Sequence, residues 1–135
     1  MNFLAHLYLS KVNKNILIGN KRVIGPQKDI KEVLNAVEIY ENLEKYNPLS
    51  EKSFLKAHQV LMHNLVENAG KYRNQGVEIV KGSKVEHLAP PHENVQFLMN
   101  DLFEYLNDSE ELELIKSCVF HYEMEFIHPF FRWKW

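Results

Sequence analysis

The sequence predicts a mainly α domain with one protruding β-hairpin. Three observations carry that expectation. Four stretches place apolar residues at three- and four-residue spacing, the period of a helix with one buried face. One stretch alternates apolar and polar residues around Gly82-Ser83, the pattern of a hairpin. Prolines and glycines number five each and cluster at 25–26, 70–82 and 90–91, where they separate the helical blocks. A chain of 135 residues suits one domain, and 45% apolar content suits a modest core.

The N-terminal segment, residues 1–24, reads two ways: "NFLAHLYLS" fits a helix start or a strand, and "NKNILIGNKRVIGPQ" fits a turn region. The remaining domain, 25–135, is clearer. From about Lys28, the residues Ile30, Val33, Leu34, Val37, Tyr40 and Leu43 share one helical face, and Pro48 ends that helix. Ser50 can cap the next helix by accepting a bond from a free backbone N–H. Phe54, Ala57, His58, Leu61 and Leu65 share its face, and it should run to about Asn68 with Gly70 as its stop. In 77–88, glycine first in a two-residue loop is the signature of a type II′ hairpin turn. Pro90-Pro91 opens a third helix with Val95, Leu98, Met99, Leu102 and Leu106 inward. Ser109 should cap the last helix, with Leu112, Ile115, Val119, Tyr122 and Phe126 inward. Pro129 should end it by disfavouring helical geometry at His128.

Composition narrows the classes of function. The net charge of −2 argues neither for nor against any partner, but the lysines are scattered where a nucleic-acid binder would more often cluster them, so no nucleic-acid partner is expected. A single cysteine, Cys118, rules out an internal disulfide and fits the reducing cytoplasm. Its apolar surroundings predict a core position. No run of about 18 apolar residues exists, so no membrane span is expected. The start lacks a basic n-region, so no signal peptide is expected either.

Chemistry is sparse on spacing alone. Of seven histidines, His6, His63 and His92 read as surface or packing residues, and His58 as a hydrogen-bonded core residue. His121, Glu125 and His128 stand at i, i+4, i+7, on one helical face. Glu125-Phe-Ile-His128 spells the Glu-x-x-His of di-iron bundles, but such a site needs a second copy and the chain has none. No metal site is therefore expected. No Walker-type phosphate loop or nucleophile elbow is visible.

One stretch is more specific. "FHYEMEFIHPF", Phe120 to Phe130, resembles the signature helix and loop of Fic (Fido) domains, which continue as His-Pro-Phe-x-(Asp/Glu)-Gly-Asn-Gly-Arg. "KRVIGPQKDIKEVLNAVEIYENL" resembles the early helix of one bacterial subgroup, and "AGKYRNQGVEIVKGSKVEHLAPPHENVQFLM" its flap and following helix. The resemblance spans about residues 21–130. It implies a Fic-like helical bundle with one β-hairpin, the flap, and an enzyme that moves AMP from ATP to a Ser, Thr or Tyr hydroxyl of a protein. His128 would be the general base, with Pro129 and Phe130 completing the motif. ATP and Mg²⁺ are the cofactors implied. The flap would be Val77, Glu78, Ile79, Val80, Lys81, Gly82, Ser83, Lys84, Val85, Glu86, His87 and Leu88, holding a target segment as an added strand.

The sequence departs from the pattern after Phe131. Arg132 stands at the acidic, metal-binding position, and Trp133-Lys134-Trp135 replaces the glycine turn. Binding of ATP and Mg²⁺ is therefore doubtful by resemblance, and no nucleotide-binding residue can be named. The expectation is a domain truncated inside the motif, without its C-terminal helices and with little or no activity. Apolar faces left uncovered would promote self-association. The alternatives are a non-catalytic module that binds a peptide or protein through the flap, and a non-functional frameshift product. The last has a concrete basis: Asp-Gly-Asn-Gly-Arg coded GAT GGA AAT GGT AGA, read one base early, gives Arg-Trp-Lys-Trp-stop. The family's self-inhibiting signature, (Ser/Thr)-x-x-x-Glu-(Gly/Asn), is not found; near "NILIGNKR" its glutamate position holds Ile18.

Overall fold

The computed structural model describes residues 25–131; the N-terminal segment and the tail Arg132 to Trp135, with the expectations placed on them, lie outside the described residues. In chain order the elements are α1 (Gln27–Glu41), a 3-10 turn (Leu43–Lys45), α2 (Glu51–Leu61), β1 (Glu78–Lys81), β2 (Lys84–Leu88), α3 (His92–Asp108) and α4 (Glu113–Ile127). Helices dominate and the strands form one hairpin, as the periodicities predict. None of the described helices is long and apolar enough to cross a membrane.

The chain divides into two compact units. Among described residues the first holds 25–46 and 54–70. Val33 and Val37 of α1 are buried on one side, while Leu34 and Tyr40 of that helix and Leu43 of the 3-10 turn, expected on the same face, are exposed. Asn35, two residues from each valine, is buried on the other side. Its Nδ2 donates to the carbonyls of Leu61 at 3.0 Å and His63 at 2.9 Å. Those carbonyls lie at or just past the end of α2, where helical partners run out. The helix stops there rather than at Asn68, and Asn64 takes a left-handed φ of 60°. Gly70 is therefore not the helix stop. It packs back on α2: at φ +78° a Cβ would lie 2.7 Å from Gln59 Cβ. Its N–H donates to Nδ1 of buried His58 at 2.8 Å, so His58 is a hydrogen-bonded core residue as expected.

The second unit holds 47–53 and 71–131 among described residues. Ser50 Oγ accepts from the N–H of Ser53 at 3.3 Å, the cap its sequence position predicts. On α3, Val95, Met99, Leu102, Phe103 and Leu106 are buried, close to the expected stripe. Phe103 meets Phe120 of α4 edge-on, with ring centroids 5.7 Å apart.

The last helix differs from expectation in two ways. Ser109 ends α3 and its Oγ accepts from Glu111 N–H, a local turn; the residue before α4 is Leu112. The inward line also differs. Lys116, Met124 and Ile127 are buried, whereas Leu112, Ile115, Tyr122 and Phe126 are exposed, as is Cys118. Apolar residues surround this helix, so periodicity alone could not select the buried line. Lys116 lies on that line with its ammonium 3.5 Å from Glu113.

The hairpin pairs Glu78 with Leu88, Ile79 with His87, Val80 with Val85 and Lys81 with Lys84. Glu86 is thus passed over, a bulge on β2. Gly82 has φ +64°, and Ser83 has no positive φ, in keeping with the expected type II′ turn. At the base, Ala89 N–H donates to Val77 O at 3.2 Å.

Candidate functional site

The site forms where α4 ends. The N–H of His128 still donates to Met124 O at 2.9 Å, but its backbone turns left-handed, φ 49° and ψ 64°. The following proline penalises right-handed helical geometry here. A non-glycine residue in this region costs roughly 1–3 kcal/mol, so neighbouring groups must hold it. Phe130, almost fully buried, anchors the exit; Phe131 is exposed.

The turn also sets the chemistry of the imidazole. His128 Nδ1 lies 2.9 Å from the carbonyl oxygen of Phe130. A carbonyl only accepts, so Nδ1 carries the hydrogen and the neutral ring presents its lone pair at Nε2. Such a nitrogen can take a proton from a hydroxyl brought within reach.

Two residues of the preceding loop support the turn. Tyr72 lies tilted against Phe130, centroids 5.6 Å apart. Its hydroxyl donates to Glu51 Oε1 at 2.7 Å, and Gln96 Nε2 donates to the same oxygen at 2.8 Å. Burial, and then the hydrogen bond and charge of Glu51, push the phenol pKa well above its ordinary value. Arg73, 4% exposed, donates from Nε to His128 O at 2.7 Å and from its backbone N–H to Pro129 O at 2.8 Å. Burial lowers its pKa, yet a guanidinium stays charged at ordinary pH.

The hairpin is attached beside the turn. His87 Nε2 lies 2.8 Å from Phe126 O, so that nitrogen carries a hydrogen, and its ring lies 5.0 Å from that of Phe126. His128, Pro129, Phe130 and the hairpin, named separately from the sequence, thus belong to one assembly within the second unit. The sequence reading did not single out Glu51, Tyr72, Arg73 or Gln96. The only signal available was a Tyr-Arg pair in an otherwise polar loop between Gly70 and Gly76. His121 and Glu125 do approach, at 3.2 Å, but His128 has left their helix. Among the described residues, no group of three His, Cys, Asp or Glu side chains could hold a metal.

A helical unit with a hairpin beside a His-Pro-Phe turn defines the class, and comparison with known proteins gives the family. Residues 48–132 match the Fic/DOC family. The chain belongs to that family. A Fic family protein from Desulfovibrio desulfuricans G20 superposes with a TM-score of 0.82 at 40% identity, over 96% of this chain and 42% of that one. A Fic domain containing signaling protein from Bacteroides thetaiotaomicron VPI-5482 superposes with a TM-score of 0.70 at 15% identity, over 92% and 50%, a likeness of fold alone. The chain thus spans half or less of the length of these two structures. No curated protein matches it significantly.

Proposed function

We propose that the chain carries the base half of a Fic-type AMP-transfer site without a working phosphate half. The observation that carries this reading is the Nδ1–H···O=C bond from His128 to Phe130, which leaves Nε2 free of hydrogen at the family's base position. In such a site the imidazole accepts the proton of a Ser, Thr or Tyr hydroxyl on a protein target. In a complete site of the family the hydroxyl oxygen would then attack the α-phosphorus of ATP as its bond to the leaving pyrophosphate breaks.

The nucleotide does not fit the residues present. Mg²⁺ needs oxygen ligands, and the position for the family's acid holds Arg132. Close approach of backbone N–H groups to phosphate needs small residues, and those positions hold Trp133, Lys134 and Trp135. In the sequence, a cation thus stands at the position of the family's metal-binding acid. We therefore derive no step through Mg²⁺-ATP. The setting for this reading is the bacterial cytoplasm, and free Cys118 suits it.

Incubation with α-phosphate-labelled ATP and Mg²⁺ tests the proposal. Label on the chain or on a lysate protein is expected to differ by less than about twofold between wild type and His128→Ala, since the phosphate half supplies most of the charge stabilisation. Strong labelling lost in His128→Ala would overturn it.

A second reading is a peptide-binding module. It is favoured by the two-stranded sheet, whose outer edges pair with no other strand among the described residues. Capture of a partner that fails when 77–88 are replaced would support it; capture unaffected by that change would remove it.

A further inference from the structure

Arg73 makes more contacts to the site than a loop residue needs. Besides its bond to His128 O, its Nη2 donates to Ile127 O at 3.1 Å and to Pro90 O at 2.5 Å. Its Nη1 donates to Gln75 O at 2.9 Å, and its backbone N–H to Pro129 O at 2.8 Å. Every one of these acceptors is a backbone carbonyl. Three of them, at 127, 128 and 129, form the left-handed turn at the negative end of α4, where a cation is favoured. The other two flank the hairpin: Gln75 lies three residues before β1, and Pro90 two residues after β2.

We propose that Arg73 is a positioning residue that fastens both feet of the hairpin to the His128 turn and thereby fixes the tautomer of the imidazole. The argument is geometric. The Nδ1 bond to Phe130 O exists only while the backbone at 128–130 stays folded over. The Arg73 guanidinium grips the carbonyls of 127 and 128, where that fold begins, and its planar fork reaches several directions at once. A lysine keeps the charge but not the fork. A strand docked on the hairpin would thus be coupled to the aim of His128 through Arg73, beside the contact of His87 to Phe126. The inference rests on reading His128 as the base.

Nitrogen-15 NMR of the wild-type chain and of Arg73→Lys and Arg73→Gln tests it. In the wild type, the Arg73 Nε–H should exchange slowly and couple to the His128 carbonyl. Between the two neutral forms of the His128 ring, the Nδ1–H form should exceed the other by about tenfold. Arg73→Lys should bring the two forms toward parity and speed amide exchange in 78–88 by about tenfold. The proposal is overturned if both folded variants keep the wild-type ring spectrum. Should the variants not fold, the wild type decides: an Arg73 Nε–H exchanging at the free-arginine rate overturns it. None of these readouts needs turnover. Loss of the base reading would leave the dependence of the ring on Arg73, and loss of the Arg73 proposal would leave His128 a base.

Discussion

Tyr72 gives the residue scale its pH dependence. Its folded pKa is raised, by burial first and by Glu51 second, above the ordinary value of 10.0. Below about pH 10 the phenol is neutral in both folded and unfolded chains, and its contribution is fully present. As pH rises further, the unfolded chain releases the proton and the folded chain does not, so stability falls. Urea midpoints from about pH 8 to 11 should drop more steeply for wild type than for Tyr72→Phe. Asn35→Leu should cost roughly 1–3 kcal/mol, since the carbonyls of Leu61 and His63 lose their donor. Legibility at this scale follows from chemistry that is local in sequence. His128 could be named because Pro129 and Phe130 adjoin it. Arg73 could not, because the acceptors of its side chain lie 2, 17, 54 and 55 residues away. Asn35 was invisible for the same reason, a polar residue in an apolar-periodic helix whose partners lie 26 and 28 residues on.

At the scale of elements, α4 is where sequence and structure part. Its apolar residues offer more than one plausible stripe, and the one chosen from spacing, with Ile115, Tyr122 and Phe126, is exposed. Met124→Ala should therefore cost roughly 2–5 kcal/mol by chemical denaturation. Tyr122→Lys, on an exposed site of the stripe read from sequence, should stay within about 0.5 kcal/mol. The reverse order would restore the stripe read from sequence. Element α3 was legible because Val95, Met99, Leu102 and Leu106 keep helical spacing along its buried line, although Phe97 is exposed. The hairpin was legible through alternation and Gly82, although the bulge at Glu86 was not, since a bulge depends on the register of the partner strand. Around Gly82 the space is open, so Gly82→Ala should cost only the left-handed penalty, about 1–2 kcal/mol, read as faster amide exchange in β1 and β2.

At the scale of the molecule, the chain matches just under half the length of its 40%-identical relative. The exposed side of α4, with Leu114, Ile115 and Tyr122, is the kind of surface whose burial would promote self-association. A monomeric, cooperatively melting chain would count against the reading of this protein as a product without a role. The proposal at the centre is narrower: His128 and its supports are assembled as a base, while the sequence after Phe131 lacks the residues to hold a nucleotide. Titrating Mg²⁺-ATP into nitrogen-15-labelled chain, while following the His128 ring and the hairpin amides, tests it most directly. The account expects no saturable shift below about 1 mM. A saturable, Mg²⁺-dependent shift centred on His128 would contradict it.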